Sequence, residues 1–281
     1  MSNIKQIMKK PITIENSASI FKAMTLMNNS KISRLLTTNE SGEIVGIITE
    51  KDIGFFLLVN DSEKNLNEIP VSILEKPLIQ VNESTPVEDV AHIMITKNIG
   101  SIGVSSSNTI GIVTKTDLAR YYIQNYVGEY RVGDVMTVSY SSMYSDDPLY
   151  KIVSKMIEDK VSRLIIKNKK NEAIGVVSFR DLFGVSMTMG NDNKVVDNSD
   201  SLISVIFPRK GFLTPSGFGG SIIAKDVMTP NVVTIDYNDD LVMACTEMID
   251  DKVNGVGVLI DNQLSGIVSK TDVIKALDKL K

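Results

Sequence analysis

The sequence contains little of the side-chain chemistry on which most catalytic and metal-binding sites depend. Its 281 residues include one histidine and one cysteine. A lone cysteine excludes an internal disulfide and fits a reducing compartment. Around His92 and Cys245 there is no metal-ligand cluster and no cysteine–histidine or serine–histidine–aspartate constellation. The sequence therefore predicts neither a metal site nor an enzyme.

Long apolar runs and an excess of basic residues are also missing. The apolar run from Ile53 to Val59 is too short to span a membrane, and the first residues show no signal-peptide core. The formal net charge of −4 is unfavourable for a nucleic-acid-binding surface, which normally carries clustered lysine and arginine. We expect a cytoplasmic protein with neither a membrane nor a nucleic acid as its partner.

A fourfold internal repeat is the main feature that the sequence does contain. Each copy reads glycine, two β-branched residues, a hydroxyl residue, two variable residues and an aspartate. The first three copies are almost evenly spaced, whereas an insertion at 190–221 precedes the fourth. Repeats at a fixed period indicate one structural unit used several times. The four motifs occupy residues 46–52, 111–117, 175–181 and 266–272.

The residues around each motif predict the same order of helices and strands. Before the first motif, Ile20, Ala23, Met24 and Met27 fall on one face of a helix. Two β-rich runs joined by a turn then predict a hairpin, and a second helix follows the motif. A short strand precedes each first helix; in the third copy we place it at 138–140. Each repeat is therefore predicted as strand, helix, strand, strand, helix, in an α/β fold.

The copies sort into two kinds, which alternate along the chain. Copies one and three carry Arg34 and Arg163 before a strand, where copies two and four carry Ser101 and Gly255. The simplest account is a two-repeat module that was duplicated. An insertion as long as 190–221 is usually mobile or functional, so we expect a partner or gating surface there. The predicted modules are 1–125, with repeats at about 4–60 and 71–125, and 126–281, with repeats at about 130–188 and 222–281.

These repeats resemble the cystathionine-β-synthase (CBS) domain family. The runs 134–137 (Asp-Val-Met-Thr) and 226–230 (Asp-Val-Met-Thr-Pro) resemble the opening of that family's repeat, and the Gly-x-x-Thr/Ser-x-x-Asp motif resembles its close. The resemblance implies that two repeats pack into a Bateman module whose clefts bind AMP, ADP, ATP, S-adenosylmethionine or NAD. It also implies that two modules stack into a disc, as in the regulatory gamma subunit of AMP-activated protein kinase. A monomeric disc or a homodimer would satisfy it.

The hydroxyl and the aspartate of each motif have two interpretations. A hydroxyl followed three residues later by an acid is close to a capping box, which satisfies backbone N–H groups at a helix start. The same turn directs N–H groups outward in a way that suits phosphate, and an ionised aspartate can accept from both ribose hydroxyls. The resemblance implies the same ligand roles. We expect capping in all four motifs and ligand binding in some of Thr49, Asp52, Thr114, Asp117, Ser178, Asp181, Ser269 and Asp272.

Basic residues near the motifs are candidates for contact with a phosphate. Arg34 and Arg163 could form a bidentate clamp or lie along the sheet surface. The bases beside the motif acids could instead be solvated partners of those acids, an arrangement that is common and weak. These candidates are Lys51, Lys115, Arg180 and Lys270.

Four further residues are predicted to line the clefts. Thr137 and Thr229 match the family residue that borders the ligand, while Lys9 and Glu75 take the corresponding places before copies one and two. Glycine inside a strand indicates a close approach of other atoms. Gly103 and Gly257 could therefore face a flat adenine or a neighbouring strand.

These features predict a non-catalytic regulatory protein. An adenine nucleotide (AMP, ADP or ATP) would bind between repeats, shift the population of their arrangements and pass the change to an unidentified protein partner. A sensor of S-adenosylmethionine or NAD is one alternative. A structural assembly subunit with degenerate clefts is another, although the basic residues favour binding. An enzyme acting on nucleotides lacks a nucleophile–base pair or a metal set.

Overall fold

The computed structural model describes residues 3–60, 64–107, 109–189, 215 and 218–281. Most of the predicted insertion 190–221 lies outside these residues. Its described end forms a short helix. Within the described ranges, no helix is both long and apolar enough to cross a membrane.

The first two copies of the repeat confirm the predicted order of elements. Each begins after a short 3₁₀ turn, at Ile4–Gln6 and Val71–Ile73 respectively. The first copy consists of β1 (Thr13–Glu15), α1 (Ile20–Ser30), β2 (Arg34–Thr38), β3 (Ile44–Thr49) and α2 (Glu50–Val59). The second consists of β4 (Gln80–Asn82), α3 (Val87–Thr96), β5 (Ser101–Ser106), β6 (Thr109–Thr114) and α4 (Lys115–Asn125).

The third and fourth copies keep this order and add short helices before it. The third consists of α5 (Val132–Val135), β7 (Ser142–Tyr144), α6 (Leu149–Glu158), β8 (Arg163–Lys167), β9 (Ala173–Ser178) and α7 (Phe179–Met189). The fourth consists of α8 (Phe218–Ser221), α9 (Ala224–Val227), β10 (Thr229–Pro230), β11 (Thr234–Asp236), α10 (Leu241–Asp250), β12 (Gly255–Ile260), β13 (Gln263–Ser269) and α11 (Lys270–Lys279).

Each copy folds its three strands into one small sheet. The first strand runs parallel to the second, and the second and third form an antiparallel hairpin. In the third copy, β10 adds a fourth strand beside β9. The strand predicted at 138–140 was wrong by a few residues, since β7 pairs Ser142 with Ile165 and Val138 is exposed. Pairing with β8, and not local β propensity, sets that position.

The described chain forms two compact units, each built from alternate copies. The even unit contains Met1–Pro11, Leu78–Tyr140 and Val232–Lys281, and so holds copies two and four. The odd unit contains Ile12–Pro77 and Ser141–Asn231, and so holds copies one and three. Neither unit follows the predicted boundary between residues 125 and 126. The pairing of consecutive copies into modules and their assembly into a disc stay predictions.

Each unit has its own apolar core, made where the helices of its two copies meet. In the odd unit, Met24 and Met27 of α1 are buried with Phe179 and Phe183 of α7. In the even unit, the helices α3, α4, α10 and α11 bury their apolar faces together. Burying one such side chain fully stabilises the fold by about 1.5–3 kcal/mol. The core therefore holds the start of each motif helix in a fixed position.

Candidate functional site

All four motifs form the same strand-to-helix turn. The hydroxyl residue ends the hairpin, and the helix begins with the next residue. The backbone N–H and the hydroxyl of that residue both donate to Oδ2 of the motif aspartate. The N–H donor lies 3.0, 2.9, 2.7 and 3.0 Å from Oδ2 in copies one to four, and the hydroxyl lies 2.5, 2.6, 2.7 and 2.7 Å from it. The predicted capping is confirmed.

This capping leaves one oxygen of each motif aspartate for other partners. Oδ2 already accepts two hydrogen bonds, and the only proton of the hydroxyl is donated to it. Asp117 and Asp272 are also almost fully buried, at 4% exposure each. A ligand would therefore contact Oδ1 before Oδ2. The sequence-based prediction that the carboxylate accepts from both ribose hydroxyls does not include the two hydrogen bonds that Oδ2 accepts within the turn.

A linker segment borders each motif strand and pairs with it by backbone hydrogen bonds. The linker residue pairs with the residue that follows the motif glycine, as Lys9 does with Ile112 through bonds of 2.9 and 2.8 Å. The linker comes from the neighbouring copy in the chain, so that the segment before copy one borders copy two, and the reverse. The four pairs are Lys9 with Ile112, Lys76 with Ile47, Thr137 with Ile267, and Thr229 with Val176.

The linker register corrects one residue of the sequence alignment. Lys76, and not Glu75, takes the position of Lys9, Thr137 and Thr229. The side chain of Glu75 instead lies against the motif glycine, Gly46, with its Cγ 2.5 Å from where a Cβ would stand. Methionines take that place in the other copies. The segment before copy two lacks the Asp-Val-Met run, so no motif residue marks its register.

The partner of the free aspartate oxygen differs between the four copies. In copy one the ammonium of Lys76 pairs with Oδ1 of Asp52. In copy two, Lys9 Nζ lies 2.5 Å and Arg120 Nη1 3.7 Å from Oδ1 of Asp117. In copy three the Thr229 hydroxyl donates to Oδ1 of Asp181 over 3.2 Å. In copy four, Lys275 of the same helix lies 3.1 Å from Oδ1 of Asp272.

The odd unit also gathers three arginines around one glutamate. Arg163 lies directly across the hairpin from the motif hydroxyl Ser178, as Arg34 does from Thr49. Arg180 Nε donates to Oε1 of Glu50 over 3.0 Å and so joins copies three and one. Burial raises the pKa of Glu50, against the opposing influence of the three arginines. The site therefore combines these arginines with acidic side chains in surroundings that are partly shielded from water.

The third copy contributes a second arginine, Arg163, and the Asp181 carboxylate is among the charges that act on it. Burial lowers the pKa of Arg163 to about 10, while the charges of Glu50 and Asp181 act in the opposite direction. Arg163 is therefore charged at neutral pH. The third copy brings together an aspartate, a hydroxyl, a linker threonine and two arginines, all within the odd unit.

Comparison with known proteins identifies the repeats. A family model of the CBS domain matches residues 4–57, 70–124, 132–187 and 224–279. The chain belongs to the CBS domain family. The four matches coincide with the four structural copies, which are therefore CBS repeats.

Relatives of this length are found among archaeal proteins. Protein MJ1225 of Methanocaldococcus jannaschii is 22% identical over 283 residues, with 95% of both chains covered. Its crystal structure is similar with a TM-score of 0.80, at 19% identity, and covers 98% of this chain and 99% of that one. Similarity at this identity shows the fold.

Other curated relatives are longer than the present chain. Homoserine O-acetyltransferase of Methanococcus vannielii is 28% identical over 124 residues, which are 43% of this chain and 25% of the relative. Protein MJ1404 of Methanocaldococcus jannaschii is 21% identical over 210 residues, 72% of this chain and 45% of the relative. The chain thus spans less than half the length of these two relatives.

The even unit uses its two predicted phosphate lysines to join its CBS repeats. Lys115 Nζ donates to the Thr271 hydroxyl over 2.7 Å, and Lys270 Nζ donates to the Thr116 hydroxyl over 3.1 Å. Lys270 also reaches Oδ1 of Asn254 at 3.3 Å and is 5% exposed. The two lysines lie at the starts of α4 and α11, and each donates a hydrogen bond to a threonine of the other's repeat. Lys51, at the same turn of the first repeat, is exposed.

The strand glycines are packed by side chains of their own unit. A Cβ on Gly103 would lie 2.8 Å from Leu78 Cδ2, and a Cβ on Gly257 would lie 2.5 Å from Leu264 Cδ1. The sequence left two possible neighbours for each glycine, a flat adenine or an adjacent strand. In the structure, protein side chains lie against both glycines.

One open depression of the even unit lies away from the motifs. Its volume is about 520 Å³, and Glu88, Asp89, Tyr121 and Tyr126 are among the residues that line it. The Tyr126 hydroxyl donates to Oε1 of Glu88 over 2.8 Å. None of the predicted site residues lines this depression, so it adds no support to the predicted ligand sites.

Proposed function

We propose that this chain is a non-catalytic regulatory protein of the cytoplasm that binds a phosphate-bearing adenosine ligand at the third CBS repeat. One observation carries the proposal. Among the aspartates of the four described motifs, Asp181 alone meets a hydroxyl on its free oxygen, whereas the other three meet a cation. An ionised carboxylate without an ion pair is suited to accept hydrogen bonds from a sugar.

The ribose contact follows from the hydrogen bonds of the motif turn. Thr229 is exposed, and its hydroxyl donates to Oδ1 of Asp181 over 3.2 Å. A ribose hydroxyl can take the place of that donor without separating any charges. The linker threonine is then free to bond the ligand with its own oxygen. Binding at Asp181 therefore exchanges hydrogen bonds of similar strength.

The phosphate contact depends on the arginines of the odd unit. Arg163 is the cross-strand neighbour of Ser178, and side chains at such positions lie about 5 Å apart at Cβ. Guanidinium groups bind phosphate through two parallel hydrogen bonds. The arginines favour AMP, ADP or ATP over S-adenosylmethionine, since its sulfonium would add to their positive charge.

Regulation would follow from the position of the ligand between two repeats. Arg180 belongs to the third repeat and pairs with Glu50 of the first. A ligand phosphate that competes for Arg180 favours arrangements in which this pair is altered. The population shifts by no more than the difference in affinity between the two arrangements. A protein partner that binds one of these arrangements more tightly than the other would respond to the ligand.

The first prediction concerns direct binding, measured by isothermal titration calorimetry with AMP, ADP, ATP, S-adenosylmethionine and NAD. We expect micromolar affinity for at least one of the three adenine nucleotides and loss of that binding in Asp181→Ala. Glu158→Ala, which removes an exposed acid from the same repeat, should bind as the wild type does. If none of the five ligands binds, the proposal is overturned and an assembly subunit is favoured, since three lysine-paired motifs would also fit that function.

A further inference from the structure

We infer that Lys9 and Lys76 are built-in occupants of two ribose sites, so that the linker residue decides which of the first three CBS repeats can bind. A lysine linker keeps the site of Asp52 or Asp117 filled, while a threonine linker leaves the site of Asp181 open. This inference rests on the proposed function and specifies which of the four similar motifs carry it.

The four linker residues are structurally equivalent. Each pairs with the residue after the motif glycine through an isolated bridge or a short antiparallel pair. Each is exposed, so the protein core does not dictate its identity. At this one position the chain places lysine twice and threonine twice, and the side chain reaches Oδ1 of the motif aspartate in three of the four cases.

The lysines are held by their charge. The Lys9 side chain is 55% exposed and the Asp117 side chain is 4% exposed, yet their charged atoms are 2.5 Å apart. Lys76 and Asp52 repeat this arrangement, with a 65% exposed lysine and a 10% exposed aspartate. A long side chain thus extends from the surface to neutralise a carboxylate that is largely removed from water, which would otherwise be costly.

A ribose at these two aspartates must replace an ammonium with a neutral hydroxyl. Hydrogen bonds to charged partners are stronger than those between neutral groups. The exchange therefore lowers affinity by a factor on the order of ten to one hundred. At Asp181 a neutral hydroxyl replaces a neutral hydroxyl, and this loss does not occur.

The Asp52 site also differs from the Asp181 site in the residue that lies against the motif glycine. Glu75 lies against Gly46, where Met228 lies against Gly175. Glu75 adds a carboxyl group against the motif strand of the first repeat, which is unfavourable for a phosphate-bearing ligand. Opening the Asp52 site thus needs two substitutions, Glu75→Met and Lys76→Thr, which reproduce the Met-Thr sequence found at 228–229.

A reciprocal exchange tests the inference. The probes are AMP and ATP, titrated calorimetrically into the full-length chain. In Thr229→Lys we expect at least a tenfold loss of affinity at the wild-type site. In the double variant Glu75→Met/Lys76→Thr we expect one additional site per chain. That site should disappear again when Asp52→Ala is added.

Matched controls distinguish an effect of the linker position from the effect of adding or removing a lysine elsewhere in the chain. Ser41→Lys adds a lysine to an exposed turn of the odd unit, and Lys5→Thr removes one from a linker where it pairs with Glu83. Both should retain the wild-type affinity and stoichiometry. Circular dichroism and thermal unfolding of every variant distinguish the loss of a binding site from unfolding of the protein.

The outcomes distinguish this inference from the proposed function. If the wild type binds neither AMP nor ATP while the double variant binds one of them, the inference is supported and the proposed function is overturned. A wild type that binds, with no additional site in the double variant or no loss in Thr229→Lys, would overturn the inference alone. If neither the wild type nor the double variant binds a probe, the inference and the proposed function are both overturned.

Discussion

Glu50 shows how a single residue can carry the charge balance of a site. It is the first residue of α2 and occupies the position that Phe179 holds in the third repeat. Three arginines surround it, yet burial raises its pKa. Glu50 pairs with Arg180, and a phosphate of the proposed ligand would compete with Glu50 for this arginine.

The raised pKa of Glu50 predicts a pH dependence of stability. The folded protein binds the Glu50 proton more tightly than the unfolded chain, whose pKa is near 4.5. The stability contributed by this group is thus largest below that value and is lost as the pH rises through the folded-state pKa. We expect the free energy of unfolding to fall more steeply with pH in the wild type than in Glu50→Gln.

Urea unfolding at pH 4, 5, 6 and 7 measures this difference. Glu158→Gln, an exposed glutamate in the same unit, is the control and should follow the wild type at every pH. Parallel curves for the wild type and Glu50→Gln would show that burial of Glu50 makes no net contribution.

At the scale of elements, the contact between α2 and α7 depends on a glycine. A Cβ on Gly54 would lie 2.2 Å from Cδ1 of Phe179, and Phe179 is 2% exposed. The close approach of these helices joins the first and third repeats beside Arg180 and Glu50. Any side chain at residue 54 must push the helices apart or displace the ring.

We therefore expect Gly54→Ala to destabilise the protein in spite of alanine's better helix propensity. Overpacking costs about 1–3 kcal/mol and the gain in propensity is about 1 kcal/mol, so the net loss of stability should be up to about 2 kcal/mol. Gly133→Ala is the matched control. Its Cβ would also lie 2.2 Å from a ring, that of Tyr237, but Tyr237 is 38% exposed and can move away.

Thermal and urea unfolding of both variants check this prediction. Gly133→Ala should be neutral or slightly stabilising. Equal stabilities for the two variants would indicate that Phe179 rearranges as readily as an exposed ring, and the tight contact would then not limit the packing of α2 against α7.

At the scale of the molecule, each compact unit draws on both halves of the chain. The odd unit needs α1 and α2 from the first half and α6 and α7 from the second. The even unit likewise combines α3 and α4 with α10 and α11. Neither half can complete a core alone, because the apolar faces of its helices pack against helices of the other half.

This division predicts the behaviour of the separated halves. When residues 1–125 and 126–281 are expressed together as two chains, we expect them to associate in a 1:1 complex and to unfold cooperatively. Each half expressed alone should self-associate, since its apolar helix faces would otherwise meet water. Affinity purification through a tag on one half, with light scattering, measures the complex. Two stable monomeric halves that ignore each other would contradict the assignment of units.

The sequence by itself determined the repeated unit and its local geometry. The helix face of α1, the hairpins and the four capped turns follow from residues a few positions apart, whose spacing and hydrogen-bonding groups fix the local conformation. The sequence also placed Arg34 and Arg163 at equivalent positions, since the repeats themselves give the alignment.

Only the tertiary structure decided which repeats share a core and what meets each aspartate. Lys76 and Asp52, or Thr229 and Asp181, are far apart in the chain, and local periodicity carries no information about such pairs. The same holds for Lys115 and Lys270, whose hydrogen bonds join two repeats. These contacts depend on how helices and linkers pack, which is set by the summed burial of many side chains.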